Sequence, residues 1–202
     1  MTFKVPIVPW LLTLLISGMA ACRPQSPGTQ PERISITWPD TLGIPPWTVV
    51  VQPAGELPYY HLNDTGDNLL LDSTLAAQWD FLPCPANLGI LQPLDGVHPG
   101  ITTLILATRV PAGTRLQMHL LALCQLNTSD GIKTYLVGYP HNPKLRIIRA
   151  GNYQDFSTAY DQTRTLIQNY LVQREGLGKV ERVRWQNEQF ALNYLSDMYL
   201  VK

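Results

Sequence analysis

Charge is scarce in this sequence. Only 15% of its 202 residues are charged, and 15 Lys and Arg balance 15 Asp and Glu for a formal net charge of zero. That excludes the basic face a nucleic-acid-binding domain needs to meet phosphates. It also excludes a polyacidic tail or a polybasic membrane patch. There is no internal repeat and no long run of like charge. No Gly-rich phosphate loop occurs, since Glu175-Gly176-Leu177-Gly178-Lys179 reads as a helix stop. No Ser or Cys stands in a recognisable nucleophile elbow, so acyl-transfer chemistry has no positive support.

Apolar residues reach 45%, enough for a buried core and too many for wholesale disorder. Seventeen Pro and fourteen Gly imply many turns, which suits a β-rich fold better than a helical bundle.

Residues 1–21 read as a secretory signal. Lys4 precedes an apolar stretch from Val5 to Met19, and Met19-Ala20-Ala21-Cys22 is a lipobox-like tetrapeptide. Signals of this kind resemble those of bacterial lipoproteins, in which Cys22 would carry the lipid. The expected address is the bacterial cell envelope, with the protein anchored in a membrane through Cys22 and facing the periplasm or exterior. The alternatives are an uncleaved anchor and ordinary secretion. The run is shorter than the roughly 20 residues needed to span a bilayer, and Pro6 and Pro9 interrupt it. Residues 22–44, rich in Pro, Gln and Ser at their start, read as a tether. The domain proper is expected over 45–202. Cys84 and Cys124 could form a disulfide in an exported protein. Two buried free thiols are the simpler expectation, because free Cys packs as a small hydrophobe.

Short apolar runs separated by turn signals fill the middle of the chain. Thr48–Val51 is β-branched and stops at Pro53-Ala54-Gly55. Asn63-Asp64-Thr65-Gly66-Asp67-Asn68 lies between Tyr59-Tyr60 and Leu69-Leu70-Leu71, which predicts a hairpin. Ile101–Val110 ends at Pro111-Ala112-Gly113. Leu116–Leu126 and Ile132–Tyr139 flank a turn that holds Asp130-Gly131. Phe156, Tyr160, Thr163, Ile167 and Tyr170 or Leu171 then recur at helical spacing across Asp155–Glu175. Lys179–Trp185 alternates, and Asn187–Leu200 is a second helix. Strands followed by two helices predict an α+β domain or small barrel.

These residues suggest a family. Phe81-Leu82-Pro83-Cys84, Asn87-Leu88-Gly89, Leu94-Asp95-Gly96, Leu104-Ile105-Leu106, Ala112-Gly113-Thr114 and Leu136-Val137-Gly138-Tyr139-Pro140 follow one another in an order that resembles the soluble inorganic pyrophosphatases. Ile167-Gln168-Asn169-Tyr170 and Val180–Trp185 continue the resemblance to the C-terminus. It implies a small five-stranded closed β-barrel of OB-like type with two C-terminal helices packed on it. It also implies Mg²⁺-dependent hydrolysis of pyrophosphate, in which clustered carboxylates hold the metals while Lys and Arg neutralise the phosphates.

Against that pattern, most of the chemistry is gone. Asp95 matches the first signature Asp, but the second falls on Val97 or His98 and the third on Gly100 or Ile101. The family's Lys-Tyr-Glu aligns with Tyr59-Tyr60-His61, and its Asp-Arg with Asp72-Ser73. Leu82 and Leu88 replace two Tyr, Tyr135 replaces a Lys, and the later acidic loop keeps only Asp130. Tyr170 remains, with Leu171 in place of its Lys partner. Pro83, Gly89, Gly96, Gly113 and Pro140, which serve packing and turning, survive. Asp95 and Tyr170 are therefore the residual site positions, and a cleft lined by Tyr59, Leu82, Leu88 and Tyr135 is expected to be apolar.

The expected function is a tethered binding or structural module with diphosphatase activity lost or much reduced. The alternative is an active Mg²⁺ diphosphatase that recruits Glu56, Asp64, Asp67 or Asp80. A third reading confines the resemblance to architecture, with the barrel binding an apolar or sugar ligand. Asp95, His98 and His61 could in principle ligate Zn²⁺, although loop histidines are usually polar surface. His119 is expected to be packed or solvent-facing, and His141 carries no partner motif. Trp38, Trp47, Trp79 and Trp185 are expected mostly in the core. No nucleic-acid partner is expected, and a homo-oligomer is left open.

Overall fold

The computed structural model describes residues 33–35, 45–73, 82–91, 100–176 and 178–200, with no side-chain description for 199 and 200. The signal segment, Cys22, Trp38, Trp79, Asp80, Asp95 and His98 lie outside the described residues. Among the described residues, nine strands run in chain order: β1 (Arg33–Ser35), β2 (Trp47–Gln52), β3 (Tyr60–Leu62), β4 (Asn68–Leu71), β5 (Asn87–Leu91), β6 (Thr102–Ile105), β7 (Arg115–Thr128), β8 (Gly131–Pro140) and β9 (Val180–Asn187). Three α-helices of the described residues accompany them: α1 (Tyr153–Ala159), α2 (Asp161–Glu175) and α3 (Glu188–Leu200). β1 falls inside the segment expected as tether and pairs with β4, placing Ile34 opposite Leu69. Among the described residues, no helix is long and apolar enough to cross a membrane.

The main sheet runs β2-β5-β6-β8-β7-β9, and β2 also pairs with β7. The extra ladder joins Trp47–Val49 to Arg115–Gln117 and closes β2, β5, β6, β8 and β7 into a five-stranded barrel. β9 extends the sheet beyond it. The predicted hairpin over 59–71 is present as β3–β4, and with β1 it forms a separate three-stranded sheet.

The sequence explains the tight closure. Gly89 on β5 lies between Thr48 on β2 and Thr103 on β6, whose hydroxyls meet at 2.8 Å. Strands two apart are separated by about 9.6 Å in a flat sheet, so the two hydroxyls can touch only on a concave surface. That surface is the barrel's inside. A Cβ on Gly89 would stand 2.7 Å and 2.8 Å from the two hydroxyls and 2.9 Å from the Val49 carbonyl. Val50, Leu91, Ile105, Met118, Leu123 and Leu136 share that inner cluster, and α3 adds Ala191 and Leu195 to it.

The outward face carries the larger cluster. Val49, Val51, Leu88, Leu104, Ala122, Cys124 and Val137 pack under α1 and α2 through Phe156, Ile167, Tyr170 and Leu171. The expected single helix over Asp155–Glu175 is two. Tyr160, at φ −126° and ψ 33°, ends α1 and begins α2. Its hydroxyl accepts the Arg149 N–H at 3.0 Å, which fixes the break. Asn152 caps α1, its side chain accepting the Asp155 N–H at 2.8 Å. Gly176 stops α2 at φ 105°, as the Gly-rich segment predicts.

Candidate functional site

α2 presents Ile167, Tyr170, Leu171 and Arg174 at i, i+3, i+4 and i+7, a single helical face turned to the barrel. Two of these meet Gln52, the last residue of β2, which is 2% exposed. The Tyr170 hydroxyl donates to Gln52 Oε1 at 3.1 Å. Arg174 Nη1 donates to the Tyr170 oxygen at 3.0 Å and to Gln52 Oε1 at 3.3 Å. The Gln52 amide nitrogen donates to the Glu56 and Leu57 carbonyls at 3.0 and 3.3 Å. Every polar atom of the amide is thereby used, which settles its orientation. The Arg174 guanidinium lies 4.6 Å above the Tyr59 ring centre. Among the described residues, no carboxylate forms an ion pair with it.

Gln52, Leu57, Tyr59, Leu82, Tyr170 and Arg174 enclose a cavity of about 10 Å³. That is room for about one water molecule. Burial holds the Tyr170 phenol well above its ordinary range, and the neighbouring Cys84 thiol adds to the effect. Burial likewise pushes the Cys84 thiol up. Tyr135 donates to Glu175 Oε1 at 2.7 Å, and Lys133 pairs with the other oxygen of that carboxylate. Burial and then this carboxylate raise the Tyr135 phenol.

The structure brings together Tyr59, Leu82 and Tyr170 of the expected site residues. Leu88 and Tyr135 join Tyr170 in the outer cluster, at 0%, 6% and 5% exposure. Of the four residues expected to line an apolar cleft, Tyr59 and Leu82 line this cavity and Leu88 and Tyr135 do not, and the cavity also contains a cation. Sequence reasoning missed Arg174. The resemblance places a cation next to Tyr170, where Leu171 stands, whereas Arg174 sits one helical turn further along the same face.

The other candidates are dispersed. Glu56 pairs with Arg109. Asp67 is held in the β3–β4 turn by Thr65, Asn63 and Asn68, which keep its carboxyl below the usual range. Asp64 is exposed in the same turn, and Asp130 lies at the tip of the β7–β8 hairpin. His61 Nδ1 stands 3.8 Å from Asp72. Among the described residues, no group of three or more His, Cys, Asp and Glu converges as metal ligands would. Cys84 and Cys124 are free and buried. Trp185 packs on Phe156 and donates to Gln168 at 3.0 Å.

No family model matches the chain, and no curated protein matches it. Solved structures do. An inorganic pyrophosphatase from Helicobacter pylori is 20% identical, with a TM-score of 0.57 over 75% of this chain and 89% of that one. One from Coxiella burnetii is 16% identical, with a TM-score of 0.56 over 77% and 94%. One from Thermus thermophilus is 18% identical, with a TM-score of 0.55 over 73% and 84%. The fold of this chain is thus pyrophosphatase-like, held in common with proteins of strongly divergent sequence.

Proposed function

We propose that this chain is a lipoprotein anchored at the cell envelope through Cys22, whose pyrophosphatase-fold domain is a binding or structural module with diphosphatase activity lost or much reduced. One observation carries the reading. Three of the positions that the resemblance aligns with the reaction centre are buried in packed core. Leu88, Tyr135 and Tyr170 are buried together, and the space beside Tyr170 and Arg174 has room for about one water. A pyrophosphate with its metal ions needs a far larger, carboxylate-lined cleft. Arg174 is already engaged by Gln52, Tyr170 and Tyr59, so its charge anchors α2 to β2.

Phosphate release from pyrophosphate with Mg²⁺, measured on the full chain, tests the reading. The expected result is turnover far below the ordinary range of about 1–10³ s⁻¹. Turnover within that range, abolished by Asp95→Asn, would establish the active Mg²⁺ diphosphatase instead. Metabolic palmitate labelling tests the anchor: label should enter the wild type and be lost in Cys22→Ala.

A further inference from the structure

The Arg174 guanidinium uses only part of its hydrogen-bonding capacity. Nη1 makes both of its side-chain bonds, to Gln52 Oε1 and to the Tyr170 oxygen. Among the described residues, Nε and Nη2 make none. Those two nitrogens form one edge of the group, and their N–H bonds run nearly parallel in a fixed fork. The charge is uncompensated as well. Glu175, its neighbour on α2, is taken by Lys133 and Tyr135. Glu56, whose carbonyl meets the Gln52 amide, pairs with Arg109. Drawing a cation out of water beside the buried Gln52 and Tyr170 is costly when no counter-charge goes with it.

We propose that this fork holds a monovalent anion of one atom, chloride above all, in the cavity that Tyr59, Leu82, Tyr170 and Arg174 help to line. The inference rests on the reading of this region as packed core. At about 10 Å³ the cavity accepts one particle of about the size of water. Chloride is only slightly larger than water. Phosphate and carboxylate groups bring three or more heavy atoms each and do not fit. Water fits by size but supplies no charge, so it leaves the cation unpaired. The apolar walls of Leu57 and Leu82 cannot replace a tightly held hydration shell, which favours chloride over the more strongly hydrated fluoride. Two charge-assisted hydrogen bonds from the fork correspond to a dissociation constant of about 1 mM. The bound ion would neutralise Arg174 and make the attachment of α2 to β2 depend on chloride.

Thermal melts of the full chain in sodium chloride and in sodium gluconate at equal ionic strength test the site. Gluconate is too large to enter, and screening is the same in both salts. At about 100 mM chloride, a hundredfold excess over that dissociation constant, the melting temperature should stand about 5 °C or more above its value in gluconate. Arg174→Met should remove the difference. Leu82→Phe fills the cavity and leaves the hydrogen bonds of Arg174 in place. It should remove the difference too, and it decides the matter where Arg174→Met fails to fold. Crystals grown with bromide should show an anomalous scattering peak within hydrogen-bond reach of Arg174 Nε and Nη2. Equal melting temperatures in the two salts overturn the proposal, as does a chloride effect that survives Leu82→Phe. Sodium phosphate that protects as well as chloride would mean an open cleft and overturn the packed-core reading with it. A missing chloride effect with diphosphatase turnover still absent overturns this inference alone.

Discussion

Tyr170→Phe separates a packed core from a working cleft by the sign of its effect on stability. The substitution keeps the ring, leaves no cavity, and removes one oxygen that donates to Gln52 at 3.1 Å and accepts from Arg174 at 3.0 Å. A neutral hydrogen bond contributes about 1 kcal/mol and one to a charged group about 1.5–3 kcal/mol. Arg174 keeps its direct 3.3 Å bond to Gln52, so part of the second contribution survives. The net loss should be about 2 kcal/mol. For a chain of this size that lowers the melting temperature by about 4–8 °C. Urea titration followed by circular dichroism should show a lower midpoint with an unchanged slope. Residues retained for ligand chemistry are commonly held at a cost to stability, so in a working cleft Phe would leave the midpoint unchanged or raise it. Either outcome would refute the claim that Tyr170 is now structural.

Other outcomes follow from the same packing. Gly89→Ala places a methyl against both buried Thr hydroxyls and a fixed carbonyl, and should cost about 2 kcal/mol or more, read as a lowered urea midpoint. Burial pushes the Cys124 thiol up from 9.0 to about 12, so above pH 9 the unfolded chain loses this proton first and the folded state loses stability as pH rises. Below pH 9 the thiol contributes no slope. Between pH 9.5 and 11.5 the stability of Cys124→Ala should fall less steeply than that of the wild type, by about 1.4 kcal/mol per pH unit, and parallel slopes would contradict the burial argument. Leu171→Ala should cost about 2–5 kcal/mol, because this side chain is fully buried between α2 and the barrel; thermal melts check it.

The parts of the fold that were legible in the sequence are those set by neighbouring residues. Asp130-Gly131 between two alternating runs marks β7 and β8, and the Asn- and Asp-rich cluster at 63–68 marks β3 and β4. β5 carried no such mark, because Asn87-Leu88-Gly89-Ile90-Leu91 is short and has a glycine at its centre. That glycine is explained only by Thr48 and Thr103, which arrive from other strands. The break at Tyr160 was hidden because Tyr160 continues the apolar period and neither Gly nor Pro announces it. In the site, Tyr170 was legible from its helix, and Arg174 was readable in principle from the i+4 spacing. Its engagement with Gln52 was not, since 122 residues separate the two. The 3.0 Å hydrogen bond between His119 and His141 depends on the β7–β8 register, which local pattern does not fix to a single residue.

β9 continues the sheet past the closed barrel and ends it, so among the described strands it presents an outer rim with no further partner. A rim of this kind invites strands from other molecules to add on. Here Glu181, Arg182 and Arg184 all face water along it. Any incoming strand would have to desolvate both signs of charge at once, which makes templated growth costly. The margin of the sheet thus carries its own protection against edge-to-edge association.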